Sequence, residues 1–134
     1  MEEIKKCMII DDDEDDQEIF KMCLNSVNKD IQCFSVYDGQ EAIDMLMSNS
    51  QFTPQYIFLD VNMPKMNGIE CLRILQSIPK LKNAKMFMYS TTSDNRIVEE
   101  SKKLGAIDYI VKPNKTAELK EKLGHIFKNS IRTK

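Results

Sequence analysis

Five short apolar runs punctuate the chain: Ile4 to Ile10, Ile31 to Val36, Tyr56 to Leu59, Met86 to Tyr89 and Ile107 to Val111. Each is too short for a helix and most are followed by a polar turn, so they predict strands. Between them apolar residues recur at helical spacing: Phe20, Leu24 and Val27; Ala42 and Leu46 with Met45; Ile69, Leu72 and Leu75; Ile97, Ser101 and Leu104 more weakly; then Leu119, Leu123 and Ile126. Five strand and helix alternations predict an α/β domain. Its expected form is a doubly wound, five-stranded parallel sheet with helices on both faces, three layers in all, because each right-handed crossover returns over the sheet to the same end. Ser48 to Pro54 reads as a loop, about seven residues follow the last helix, and no repeat or linker breaks the pattern. One domain over residues 1–134 is expected.

Composition narrows the class. The 134 residues match roughly one domain's length. With 42% hydrophobic and 30% charged residues, the chain is too apolar for a disordered segment. No stretch nears the roughly 18 apolar residues of a membrane helix, and the N-terminus lacks the plan of a signal peptide, so a cytoplasmic protein is expected. A balance of 19 basic to 21 acidic side chains, net -2, gives no overall pull toward nucleic acid or an anionic membrane. Cys7, Cys23, Cys33 and Cys71 are scattered, with no C-x-x-C pair and one histidine, His125, so neither a zinc site nor a disulfide framework is suggested. The cysteines read as small buried hydrophobes and the nine methionines as filler. His125 lies off the apolar stripe of its helix and is expected to be exposed.

In an open parallel sheet, ligands bind beyond the carboxyl ends of the strands. The first run ends in six consecutive acids, Asp11 to Asp16. Two carboxylates about 4 Å apart repel by roughly 4 kcal/mol even at an effective dielectric near 20, so a cation or a helix terminus must compensate. A helix start explains Glu14 to Asp16 well and Asp11 to Asp13 poorly. Part of the run is therefore expected to bind a hard divalent cation, with Mg²⁺ the natural occupant. The third run ends in Asp60. In the common strand order 2-1-3-4-5 the first and third strands are neighbours, which would set Asp60 beside Asp11 and Asp12. The fourth run ends in Ser90, Thr91 and Thr92, and the fifth in Lys112 and Pro113. Acids with a cation, a hydroxyl and an ammonium on one rim suit a phosphoryl group, and an aspartate can accept it covalently.

Four motifs carry a family resemblance: Ile-Ile-Asp-Asp-Asp at 9–13, Phe-Leu-Asp-Val-Asn-Met-Pro at 58–64 with Asn67-Gly68 behind it, Met-Tyr-Ser-Thr at 88–91 and Tyr-Ile-Val-Lys-Pro at 109–113. In this order they resemble the receiver domain of two-component response regulators, in the single-domain form similar to the chemotaxis response regulator. The resemblance implies a flavodoxin-like fold with five helices and no attached output domain. It implies that Asp60 is the phosphoacceptor, loaded by a histidine kinase or a histidine phosphotransfer protein. Asp11 and Asp12 become the Mg²⁺ pair, with Asp60 and the backbone carbonyl of Asn62 as further ligands. Lys112 would contact the phosphoryl oxygens, Pro113 would follow a cis peptide, Ser90 would be the switch hydroxyl and Tyr109 the aromatic switch. Asn62 and Thr92 occupy positions that tune loss of the phosphoryl group, and Asp13 to Asp16 are assigned to the helix start and surface.

The expected action is a switch, not turnover. Phosphorylation would change the surface of the fourth helix, fifth strand and fifth helix toward an unknown downstream protein. The first helix would meet the phosphodonor, with no direct contact to nucleic acid or membrane, and the protein would be a monomer or weak dimer. Two alternatives stay open. One is an adaptor with this fold that binds without phosphorylation. The other is a haloacid dehalogenase-type phosphatase, with Asp11 as nucleophile and Asp13 as acid/base.

Overall fold

The structure, a computed structural model, describes residues 5–131. Five strands, β1 (Lys6–Ile10), β2 (Gln32–Val36), β3 (Tyr56–Leu59), β4 (Lys85–Ser90) and β5 (Asp108–Val111), alternate with five helices, α1 (Glu14–Val27), α2 (Gly39–Ser48), α3 (Gly68–Gln76), α4 (Asn95–Lys103) and α5 (Thr116–Ile131). The strands form one parallel sheet in the order β2-β1-β3-β4-β5. This is the expected doubly wound, flavodoxin-like architecture. A 3₁₀ turn at Pro79–Leu81, which the apolar pattern does not signal, leads into β4.

Alternation along the strands builds two cores. Met8, Ile10, Ile57, Leu59, Met86 and Met88 face α2, α3 and α4, where Ala42, Leu46, Ile69, Leu72 and Leu75 close over them. Cys7, Ile9, Phe58, Phe87, Tyr89 and Ile110 face α1 and α5, meeting Phe20, Leu24, Leu119, Leu123 and Phe127. Burial on both faces explains why β1, β3 and β4 read as unbroken apolar runs. The last helix corrects the expected stripe: it runs Leu119, Leu123, Phe127, with Ile126 only partly buried. The larger Phe127 ring sits 4.5 Å from that of Tyr56. Ile4, placed in the first run, lies outside the described residues, and Ile31 and Ile107 fall just before their strands. Cys7, Cys23 and Cys71 are buried as expected, whereas Cys33, on the edge strand β2, is only half-buried. His125 is exposed. No described helix is long and apolar enough to cross a membrane.

Candidate functional site

The carboxyl end of the sheet gathers the acids. Asp11 directly follows β1 and Asp60 directly follows β3. Their amides extend the ladder, Asp11 N–H donating to Val36 O at 2.9 Å and Asp60 N–H to Ile10 O at 2.9 Å. The parallel pairing of β1 with β3 thereby sets the two aspartates side by side. One carboxylate oxygen from each of Asp11, Asp12 and Asp60 lies within 4.8 Å of the others; Asp11 and Asp60 are buried and Asp12 is exposed. Asp13 is not in this cluster. It caps α1, its Oδ1 accepting the Asp16 N–H at 3.0 Å, while its own N–H donates to Asp11 Oδ1 at 3.0 Å. An acid engaged in capping is poorly placed for the acid/base role that the phosphatase alternative gives it.

Lys112, from the end of β5, supplies the opposite charge. Its Nζ lies 2.8 Å from Asp11 Oδ2, 2.7 Å from Asp16 Oδ2 and 3.5 Å from Asp60 Oδ2, with the Tyr89 ring centroid at 5.4 Å. The contact to Asp11 is an ion pair without hydrogen-bond alignment, so the buried Asp11 Oδ2 is held by charge and by no aligned donor. One ammonium against three carboxylates, with Asp12 alongside, leaves the cleft negative. Three hard carboxylate oxygens, from Asp11, Asp12 and Asp60, within 4.8 Å of one another fit Mg²⁺, which takes a few carboxylates and keeps water in its other positions.

Burial raises the Asp11 carboxyl to about 6, against the opposing pull of the Lys112 ammonium and the Asp13 N–H. Burial alone would lower Lys112, but the negative charges of Asp11, Asp16 and Asp60 around its ammonium, which donates to Asp16, raise it overall. The native state therefore holds the Asp11 proton more tightly than the unfolded chain does. That contribution is fully present below an unfolded value near 3.8 and is lost as pH rises through about 6. Asp11→Asn removes it. Measured by urea unfolding with chelator present, the stability of Asp11→Asn relative to wild type is expected to rise from pH 4 to 6 and level off above, by about 2 kcal/mol. A flat difference across that window would show that Asp11 ionises as freely as in the unfolded chain.

The remaining rim comes from β4 and β5. Ser90 is fully buried, and its Oγ accepts the Thr92 N–H at 3.3 Å. Tyr109, half-buried against the core under α3 and α4, donates its hydroxyl to the Thr92 carbonyl at 2.6 Å, which ties it to the loop after β4. Asn62 Nδ2 donates to Thr92 Oγ1 at 2.6 Å, joining the loops after β3 and β4. The loop after β3 is tight. Lys65 has φ +70°, and Met66 N–H donates to Pro64 O at 2.7 Å across it, a strained γ-turn. Gly68, first in α3, packs where an added Cβ would lie 2.1 Å from the Asp60 carbonyl oxygen.

One expectation needs correction. No cis peptide occurs among the described residues, so Pro113 follows Lys112 through a trans bond. Trans is the intrinsically favoured form of an X-Pro bond.

Two residues were not singled out as part of the cleft. Asp16, expected at the helix start and surface, holds Lys112. Gln17 is buried, its Nε2 donating to the carbonyls of Ile9, Asp11 and Val36 at 3.1, 3.1 and 2.8 Å, which ties α1 to the ends of β1 and β2. Both lie one turn before Phe20, at i−4 and i−3. A polar pair extending an apolar stripe toward a strand end was the available signal. A cavity of about 710 Å³ opens at the opposite, amino ends of the strands, lined by Lys6, Gln32, Gln55 and Lys80 among others, and none of the strand-end acids borders it.

The geometry has clear relatives. Residues 7–124 match the model of the response regulator receiver domain. The chain is 31% identical over 118 residues to a chemotaxis protein CheY homolog from Campylobacter jejuni, covering 88% of each. It is 30% identical over 125 residues to a protein-glutamate methylesterase/protein-glutamine glutaminase from Desulfotalea psychrophila, covering 89% of this chain but 34% of that protein. The chain thus spans about a third of the length of that relative. Among solved structures, the phosphorylated cyanobacterial phytochrome response regulator RcpA superposes with a TM-score of 0.86 at 26% identity, covering 98% of this chain and 97% of the other.

Proposed function

Since the chain belongs to the response regulator receiver domain family, we propose that it is a phosphorylation switch in which Asp60 accepts a phosphoryl group from a phosphohistidine of a partner kinase or phosphotransfer protein. An Asp60 carboxylate oxygen forms a bond to phosphorus as the bond from phosphorus to the donor imidazole breaks, and the imidazole takes up a proton. The observation that carries this reading is the convergence of Asp11, Asp12, Asp60 and Lys112 in one cleft.

Asp11, Asp12 and Asp60, with the Asn62 carbonyl, would hold Mg²⁺, which supplies positive charge to the phosphoryl oxygens when bound. Lys112 gives those oxygens a mobile ammonium 3.5 Å from the acceptor. Ser90, buried beside the Thr92 amide, supplies a hydroxyl that can leave that contact for a phosphoryl oxygen. The loop from Ser90 to Thr92 would then carry the change to Tyr109 through the hydroxyl bond to the Thr92 carbonyl. Downstream binding is assigned to the face of α4, β5 and α5. There the edge strand β5 leaves Val111 exposed, with Ile107 exposed just before it, apolar area that a protein partner can cover.

Intact mass spectrometry after incubation with Mg²⁺ and a small-molecule phosphodonor tests the reading. One added phosphoryl group with Mg²⁺ and none with chelator is the expected result. A folded protein that binds Mg²⁺ yet gains nothing would overturn it in favour of a phosphorylation-independent adaptor.

A further inference from the structure

The shortest of the three ion pairs at Lys112 is made by a residue of α1, not by a strand end. Asp16 Oδ2 accepts from Lys112 Nζ at 2.7 Å, Asp11 Oδ2 lies 2.8 Å from the same nitrogen without hydrogen-bond alignment, and Asp60 Oδ2 accepts only a long bond of 3.5 Å. Helix capping does not account for this contact. Asp13 caps α1 through the Asp16 N–H, and the exposed Glu14 and Asp15 already place negative charge in the first turn. The Asp16 carboxylate is therefore free to bind Lys112, across 96 residues of sequence.

We propose that Asp16 is a positioning residue for Lys112: it draws the ammonium toward α1 and holds it off Asp60, keeping the acceptor oxygens open to a divalent cation and an incoming phosphoryl group. An ammonium among three carboxylates rests where their attractions balance. Without the charge of Asp16 that balance moves closer to Asp11, already 2.8 Å away, and to Asp60, and the lysine competes more strongly with Mg²⁺ for their oxygens. The inference rests on the reading of Asp11, Asp12 and Asp60 as the cation and acceptor site.

The test uses the full chain and two readouts that need no phosphorylation. These are Mg²⁺ affinity by calorimetry and the ¹⁵N resonance of the Lys112 ammonium without Mg²⁺. Asp16→Asn is expected to move the Lys112 resonance and to weaken Mg²⁺ binding about fivefold, whereas Asp15→Asn, which removes the same charge from the same helical turn, should leave the resonance in place and the affinity within about twofold. With Lys112→Met in the background, Asp16→Asn should change affinity by no more than about twofold, since the competitor is gone. Equal weakening by Asp15→Asn and Asp16→Asn, or the same loss with and without Lys112, would overturn the proposal and leave Asp16 a source of field only. Asp16→Ser is read alongside, so that a folding defect in one variant does not decide the outcome. If the wild type binds no Mg²⁺, the cation reading fails, while the Lys112 resonance still decides the role of Asp16.

Discussion

Asp60→Asn is expected to reduce phosphoryl uptake from a small-molecule donor to below detection while leaving the fold intact. The amide has the shape of the carboxylate, but its neutral oxygen and nitrogen are poor nucleophiles toward phosphorus, so the acyl phosphate cannot form. Stability should hold or rise, because the substitution removes one of three clustered negative charges. Lys112 loses only its longest contact, 3.5 Å, and keeps Asp11 and Asp16 at 2.8 and 2.7 Å. The checks are intact mass after incubation with donor and Mg²⁺, and thermal unfolding of the same sample. Continued uptake by a folded Asp60→Asn protein would place the acceptor elsewhere, with Asp11 and Asp12 the next carboxylates to replace.

Gly68→Ala is expected to have the second-largest effect, through the backbone. An added methyl group at position 68 would sit 2.1 Å from the Asp60 carbonyl oxygen and 2.8 Å from Val61 Cα. Both neighbours are main-chain atoms, so no side chain can rotate away. Either α3 lifts from the sheet or the loop carrying Asp60 shifts. Gly68 N–H also donates to Val61 O at 2.8 Å, a bond that either movement would lengthen. The cost should reach the upper end of overpacking losses, about 3 kcal/mol or more, and phosphoryl uptake should slow because the acceptor moves relative to the Asp11 pair. Urea unfolding and the rate of mass gain report the two effects. Unchanged stability would mean that α3 is held to β3 more loosely than the 2.8 Å bond implies.

The elements and their order were legible because buried parallel strands and amphipathic helices impose different periods on the same chain, and five alternations leave few topologies. The placement of Asp11, Asp60, Ser90 and Lys112 was legible for a related reason: a residue directly after a parallel strand emerges at the same end of the sheet as its counterparts. Phe127 was harder to place, because Ile126 beside it satisfies the same helical spacing and only packing against Tyr56 and Phe58 separates them. The form of the Lys112–Pro113 bond does not follow from sequence either, since both forms are available to an X-Pro bond.

Sequence by itself determined that the strand-end acids Asp11 and Asp60, the Ser90 hydroxyl and Lys112 lie on one rim, because strand ends and crossover handedness are local and combinatorial facts. Tertiary structure alone decided how one ammonium is shared among three carboxylates. Asp16 and Lys112 are 96 residues apart, and neither spacing nor composition brings them to 2.7 Å. That distance is set by Gln17 tying α1 to the strand ends and by β5 taking its place beside β4, so the electrostatic balance of the cleft exists only once the layers have packed.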